Sequence, residues 1–294
     1  MTKQVTTNDP VTGAALRIAY DGIIEAVDDV RSKQVACRKN KGEYEYMSAS
    51  WGGEWFDYKS ASWLDRALEG GERKTLDRIA KMQERIEAES PAFTSEKVSR
   101  HRVRRRLMGD EMNVGLFVAR EGRDPFVWEG MVRENTPRRV IRIGVEIGVL
   151  GSRTADDLLP RGAAACALVG WLEANGYAVE VIGVWCSEDI FARRGKARGI
   201  ATVVVKASDV PMNEGTLATA CCEIAFARGV LLTARVMNAP EEVAFTLGRT
   251  SALTKEEAQA LALDVTIDSD VLTEARAVEW LTKTVERLST TDAE

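Results

Sequence analysis

Four apolar runs in this chain end in serine and aspartate: GVLGSRTADD, GVWCSED, VVKASD and TIDSD. Short oxygen-bearing side chains of this kind either hold a hard cation or cap the free amides at a helix start. They are Ser152, Asp156 and Asp157; Ser187 and Asp189; Ser208 and Asp209; and Asp268, Ser269 and Asp270. If the runs are parallel strands, their carboxyl ends share the sheet edge at which open α/β folds bind ligands. The candidate binding set is therefore Ser152, Asp156, Ser208, Asp209, Asp268 and Asp270. One chemistry is a magnesium site acting on phosphoesters, with Asp156, Asp209 and Asp268 or Asp270 as ligands. Capping is the simpler account, because every strand-to-helix loop must satisfy its first amides. No metal, no cofactor and no catalytic residue is assigned on this basis.

Other catalytic signatures are missing. His101 is the only histidine and lies in a basic cluster, so a Ser–His–Asp or Cys–His mechanism would have to run through that one residue. No HExxH, no GxxxxGK[ST] and no GxGxxG after a strand occurs. The segment RRGKARG lacks the spacing of a phosphate cradle and reads as a solvated loop. The five cysteines (Cys37, Cys166, Cys186, Cys221 and Cys222) contain no CxxC pair. Cys166 and Cys221 fall within apolar helical patterns, where a free thiol acts as a small core residue.

A basic run, SEKVSRHRVRRRLMGD, concentrates Arg100, Arg102, Arg104, Arg105 and Arg106 beside Lys97 and His101. Such density is what phosphate binding needs. The chain as a whole carries a net charge of −5, so it offers no general attraction to nucleic acid. With no zinc finger or helix-turn-helix pattern nearby, a solvated or subunit-facing surface is the plainer expectation. Nucleic-acid binding through these arginines is the alternative. The aromatic stretch YEYMSASWGGEWFDY would serve as a contact surface or, more simply, as a plug between the N-terminal helices and the sheet.

The elements that must position these residues follow from periodicity. AALRIAYDGIIEAVDDVRS places Leu16, Ile18, Ala19, Ile23, Ile24 and Val27 at helical spacing, and Leu76, Ile79, Met82 and Ile86 predict a helix over about 73–89. SASWLDRALEGG predicts a short capped helix. After Pro137, RRVIRIGVEIGVL is a β-branched strand, followed by a helix closed at Gly176 and by strands YAVEVIGVWC and GIATVVVKASD. A helix from Pro211, a strand DVTIDSD and a final amphipathic helix complete the pattern. Alternating strands and helices predict an α/β fold with a mainly parallel, doubly wound sheet, covered by helices on both faces. The division expected is a mainly helical region 1–136, an α/β domain 137–290 and a tail 291–294.

The pairing of SWGGEW…SWLDRALEGG with RRVIRIGVEIGV…RGAAACALVGWLEANGYAVEV resembles a family of uncharacterised bacteriophage and prophage proteins. That resemblance implies a viral origin. The second half also resembles the von Willebrand factor A domain, which implies a doubly wound scaffold built for protein contacts. That family's first strand ends in a metal-binding Asp-x-Ser-x-Ser. The stretch VEIGVLGSRT offers Glu146, Gly148 and Leu150 there, or Val149, Gly151 and Arg153 if shifted, and neither triad can bind the ion.

At 45% hydrophobic and 29% charged residues the composition is that of an ordinary globular chain, without a secretory leader or a long apolar span. The expected function is a non-catalytic bacteriophage protein in the cytoplasm of the bacterial host, away from membranes. It would bind a viral or host protein, or itself, as part of a larger assembly.

Overall fold

A computed structural model of the chain describes residues 3–12, 14, 16–39, 70–71, 73–89, 102–106, 111–112, 128–132, 139–148, 155–189, 197–232, 234, 238 and 250–291. Strand β1 (Gln4–Thr7) pairs antiparallel with β2 (Leu16–Tyr20), where Leu16, Ile18 and Tyr20 are buried and Arg17 and Ala19 half-buried. A period of two is a strand's, so the helix expected from Ala14 is corrected: it begins only at Ile23, as α1 (Ile23–Lys39). Leu16, Ile18 and Ala19 fit either period, and Asp21–Gly22 separates the two elements. Helix α2 (Arg73–Glu89) forms as its spacing predicts.

Strands β3 (Arg102–Arg106), β4 (Glu111–Met112) and β5 (Trp128–Val132) make a separate antiparallel sheet in the order β3-β5-β4. The described part of the first 136 residues thus mixes two long helices with five strands. The aromatic stretch and most of the short capped helix before α2 lie outside the described residues.

In β6 (Val140–Glu146), Ile141, Ile143 and Val145 are fully buried. Helix α3 (Ala155–Ala174) follows, with Pro160 inside it. Pro160 is the sixth residue of α3, past the first turn, so the helix gives up one backbone hydrogen bond there. Gly176 closes α3 at φ 85°, the left-handed conformation that glycine adopts without strain. Strand β7 (Ala178–Asp189) runs parallel to β6 and is followed by β8 (Ala197–Lys206). Next come α4 (Glu214–Cys222), a π-helical stretch Ala227–Leu232, α5 (Lys255–Ala260), β9 (Val265–Ile267) and α6 (Glu274–Thr291).

The main sheet has the order β1-β2-β8-β7-β6-β9. Strands β7, β6 and β9 are parallel to one another, and β2 is parallel to β8. The pairing of β7 with β8 is antiparallel, which corrects the expectation that all four strand ends share one edge. The reason is the length of the connection: residues 190–196 are too few for a crossover, and a parallel return takes about a dozen residues or more. The sheet is α/β and mostly parallel, but mixed, and it takes its β1 and β2 from the first twenty residues.

Burial on the two faces is unequal. Leu16, Ile18, Ile141, Ile143, Val181 and Val203 join one large cluster with buried residues of α1, α2, α3, α4 and α6. On the reverse face the cluster is small, with Ala14, Val184, Cys186 and Ile200 under Ile182 and Leu253. Helical cover on both faces is therefore not what the described residues show: the reverse face has the segment around α5. Cys166, Cys221 and Cys222 are buried free thiols, and burial pushes Cys221 up to about 12.

Helix α2 is seated by a backbone contact. A Cβ on Gly215, in the first turn of α4, would fall against the carbonyl carbon of Gly70 and 2.5 Å from Gly71 N. Thr75 of α2 also donates a 2.6 Å hydrogen bond to Glu223 at the end of α4. Gly215→Ala is expected to cost about 1–3 kcal/mol through overpacking, read as a lower urea midpoint.

Candidate functional site

The parallel set β7-β6-β9 has β6 in its middle, with the chain returning first to one side and later to the other. In open α/β sheets such a reversal is where a crevice forms beyond the carboxyl ends of the strands. Glu146 ends β6 there, nearly inaccessible to solvent. Its two oxygens accept hydrogen bonds from Leu253 N at 2.5 Å and Ser269 N at 2.8 Å, joining the loop before α5 to the loop after β9. Burial raises the Glu146 carboxyl above its usual range, while those amides pull it down.

Arg161 reaches the same place from α3 and is fully buried. Its guanidinium donates to the carbonyls of Glu146, of Gly148 at 3.4 Å and of Ser269 at 2.9 Å. Burial lowers its proton affinity, and the Glu146 charge restores part of it. Together the two side chains satisfy amides and carbonyls that strand ends leave open.

A second cluster borders the first. Arg198, at the start of β8, donates to both carboxylate oxygens of Glu257, to Glu188 at 3.1 Å, to Ser251 Oγ at 2.9 Å and to the Ala252 carbonyl. Glu257 also completes the capping box of α5 with Thr254. Ser251 N donates to the Cys186 carbonyl at 3.1 Å, so the segment 250–254 lies along the end of β7.

The predicted site residues divide between places. Asp268 and Asp270 follow β9 at the crevice, both exposed. Asp270 pairs with Arg276 at 3.0 Å. Asp156 lies in the first turn of α3 and pairs with Arg78 of α2 at 2.6 Å. Ser208 and Asp209 follow β8, whose reversed direction carries them to the opposite edge of the sheet. Ser152 lies outside the described residues. Among the described residues no three carboxylate, cysteine or histidine side chains are grouped so as to hold a metal ion. Arg102, Arg104, Arg105 and Arg106 form β3; Arg100 and His101 lie outside the described residues. Sequence reasoning did not select Arg161, Arg198 or Glu257: Arg161 reaches Ser269 and Arg198 reaches Ser251, Ala252 and Glu257 across more than fifty residues, while the capping-box spacing of Thr254 and Glu257 was a local signal.

Asp268 carries a measurable signature. Desolvation at the crevice, and then the charge of Asp270, hold its carboxyl above the ordinary value of 3.8. A group raised by folding binds more protons folded than unfolded, so stability falls as pH climbs from 3.8 through the raised native value. Asp268→Asn is expected to remove that fall. Variant and wild type should melt alike below the window, and the variant should melt higher above it.

Beside the crevice, α2, the start of α3 and the start of α6 enclose a cleft of about 330 Å³. Met82, Leu159, Pro160 and Leu272 supply apolar surface, and Arg78, Lys81 and Arg85 project from α2. Thr273 caps α6, its Oγ1 accepting from Arg276 N at 3.3 Å.

Fold and site together define a mixed α/β protein with a buried charged cluster at the carboxyl edge of three parallel strands, flanked by an open cleft. The chain belongs to the family described as domain of unknown function DUF7192, whose model matches residues 3–289. No curated protein and no solved structure matches it. Among the described residues, no helix is long and apolar enough to cross a membrane.

Proposed function

We propose that this chain is a non-catalytic binding protein that engages another protein at the carboxyl edge of its main sheet. The observation that carries this reading is the way ionisable groups are used there. Both oxygens of Glu146 hold backbone amides, Arg161 holds backbone carbonyls, and Arg198 is divided between Glu257, Glu188, Ser251 and Ala252. Such groups build a fixed platform and leave general acid–base chemistry unsupported. Next to it, a cleft with a charged rim around the half-buried Leu272 has the anatomy of a contact surface. The finer reading, a von Willebrand A-like scaffold serving a bacteriophage assembly in the host cytoplasm, rests on the sequence resemblance and on the parallel β7-β6-β9 core.

A photo-crosslinking residue at the exposed Glu84 of α2, with a second at Asp209 on the opposite edge as control, tests the proposal in infected cells. Protein adducts at 84, sparse at 209 and resistant to nuclease, are the expected result. Adducts that vanish with nuclease would transfer the function to nucleic acid and to Arg100–Arg106, in which case Arg104, Arg105 and Arg106 changed to Ala should abolish binding.

A further inference from the structure

We infer that the cleft between α2, α3 and α6 receives an acidic segment of the partner protein, a carboxylate of that segment meeting Lys81 while an adjacent apolar side chain rests on Leu272. This rests on the protein-binding reading above and names the chemistry of the partner. Arg78, Lys81 and Arg85 recur at helical spacing along one face of α2, the face whose Met82 is buried against α3. Arg78 pairs with Asp156 and Arg85 with Glu274 at 2.7 Å, one at each helix start. Lys81 stands between those pairs and, among the described residues, makes no ion pair. Three cations against two carboxylates leave the cleft positive in a chain whose net charge is −5.

The two helix starts add to this. Helices α3 and α6, of 20 and 18 residues, both direct their amino ends at the cleft, each end contributing about half a positive charge. The rim pairs are also weak: the arginine side chains are 44% and 64% exposed, so water screens both pairs. Asp156 and Glu274 remain stabilised by their own helix dipoles if either arginine turns toward an incoming carboxylate. The occupant needs more than charge, because a free anion would leave the half-buried Leu272 uncovered.

The test is a selection of displayed random peptides against the full chain, followed by anisotropy titration of the selected peptides. Enriched peptides are expected to carry Asp or Glu next to an apolar residue and to bind less tightly as salt rises. Lys81→Glu should weaken them by about tenfold or more without altering the melting curve, since Lys81 is exposed. Asp156→Asn, which removes a competing carboxylate from the rim, should tighten them. Peptides carrying Lys in place of the acid should prefer the Lys81→Glu variant. Peptides without acidic residues, or affinities that ignore Lys81→Glu, would overturn the acidic-segment inference while leaving protein binding in place. No peptide binder, together with no protein adduct at residue 84, would remove the protein-binding reading and this inference with it.

Discussion

Replacing Arg161 with methionine is expected to destabilise the chain by about 3 kcal/mol or more, because buried main-chain carbonyls at the strand ends lose a charged donor together. Methionine fills much of the same volume but donates nothing to the carbonyls of Glu146, Gly148 and Ser269. The Glu146 carboxylate then stays buried with its counter-charge gone. Denaturant unfolding of the full chain measures the loss, and the double variant Arg161→Met with Glu146→Gln should lose much less than the two single losses added. Additive losses would mean that the two side chains do not act on one another through the end of β6.

Arg198→Leu is expected to cost about 3 kcal/mol or more, for a related reason with a different geometry. Glu257 is 3% exposed and would retain only its bonds within the α5 capping box. Hydrogen exchange separates this effect from general loosening. The amides of Ser251 and Leu253, which donate to Cys186 and Glu146, should exchange far faster in the variant. Amides within α3 should keep their protection relative to global stability. Equal acceleration throughout would show that Arg198 supports the whole fold rather than the strap across β7.

Much of the second half was legible because its residues specify their elements locally. Val140, Ile141, Ile143 and Val145 suit only a strand, and Gly176 marks the end of α3 with a dihedral that few other residues accept. Leu16–Tyr20 was not legible, because five residues that alternate in burial also satisfy a helical spacing when Ile23 and Val27 follow. What decides the matter is the distant β8, with which β2 pairs in parallel. The reversal of β8 was not legible, since the strands expected to end at Cys186 and begin at Gly199 leave twelve residues between them, and only their extension to Asp189 and Ala197 makes the bridge too short for a parallel return. The candidate site was half legible: Asp268 and Asp270 reach the crevice because they directly follow a strand. Ser208 and Asp209 follow a strand too, but one whose direction only the pairing discloses. Glu146 entered the sequence analysis through a family pattern and owes its role to amides of Leu253 and Ser269, which are more than a hundred residues away.

The ladder between β2 and β8 also sets a timetable for biosynthesis. Leu16 is matched to Gly199 and Tyr20 to Val203, so the amino-terminal ribbon leaves the ribosome long before its neighbour has been translated. At about 5–20 residues per second, the wait is on the order of ten seconds or longer. Throughout it the β2 edge that carries Leu16, Ile18 and Tyr20 has no β8 to pair with and stays open to other strands.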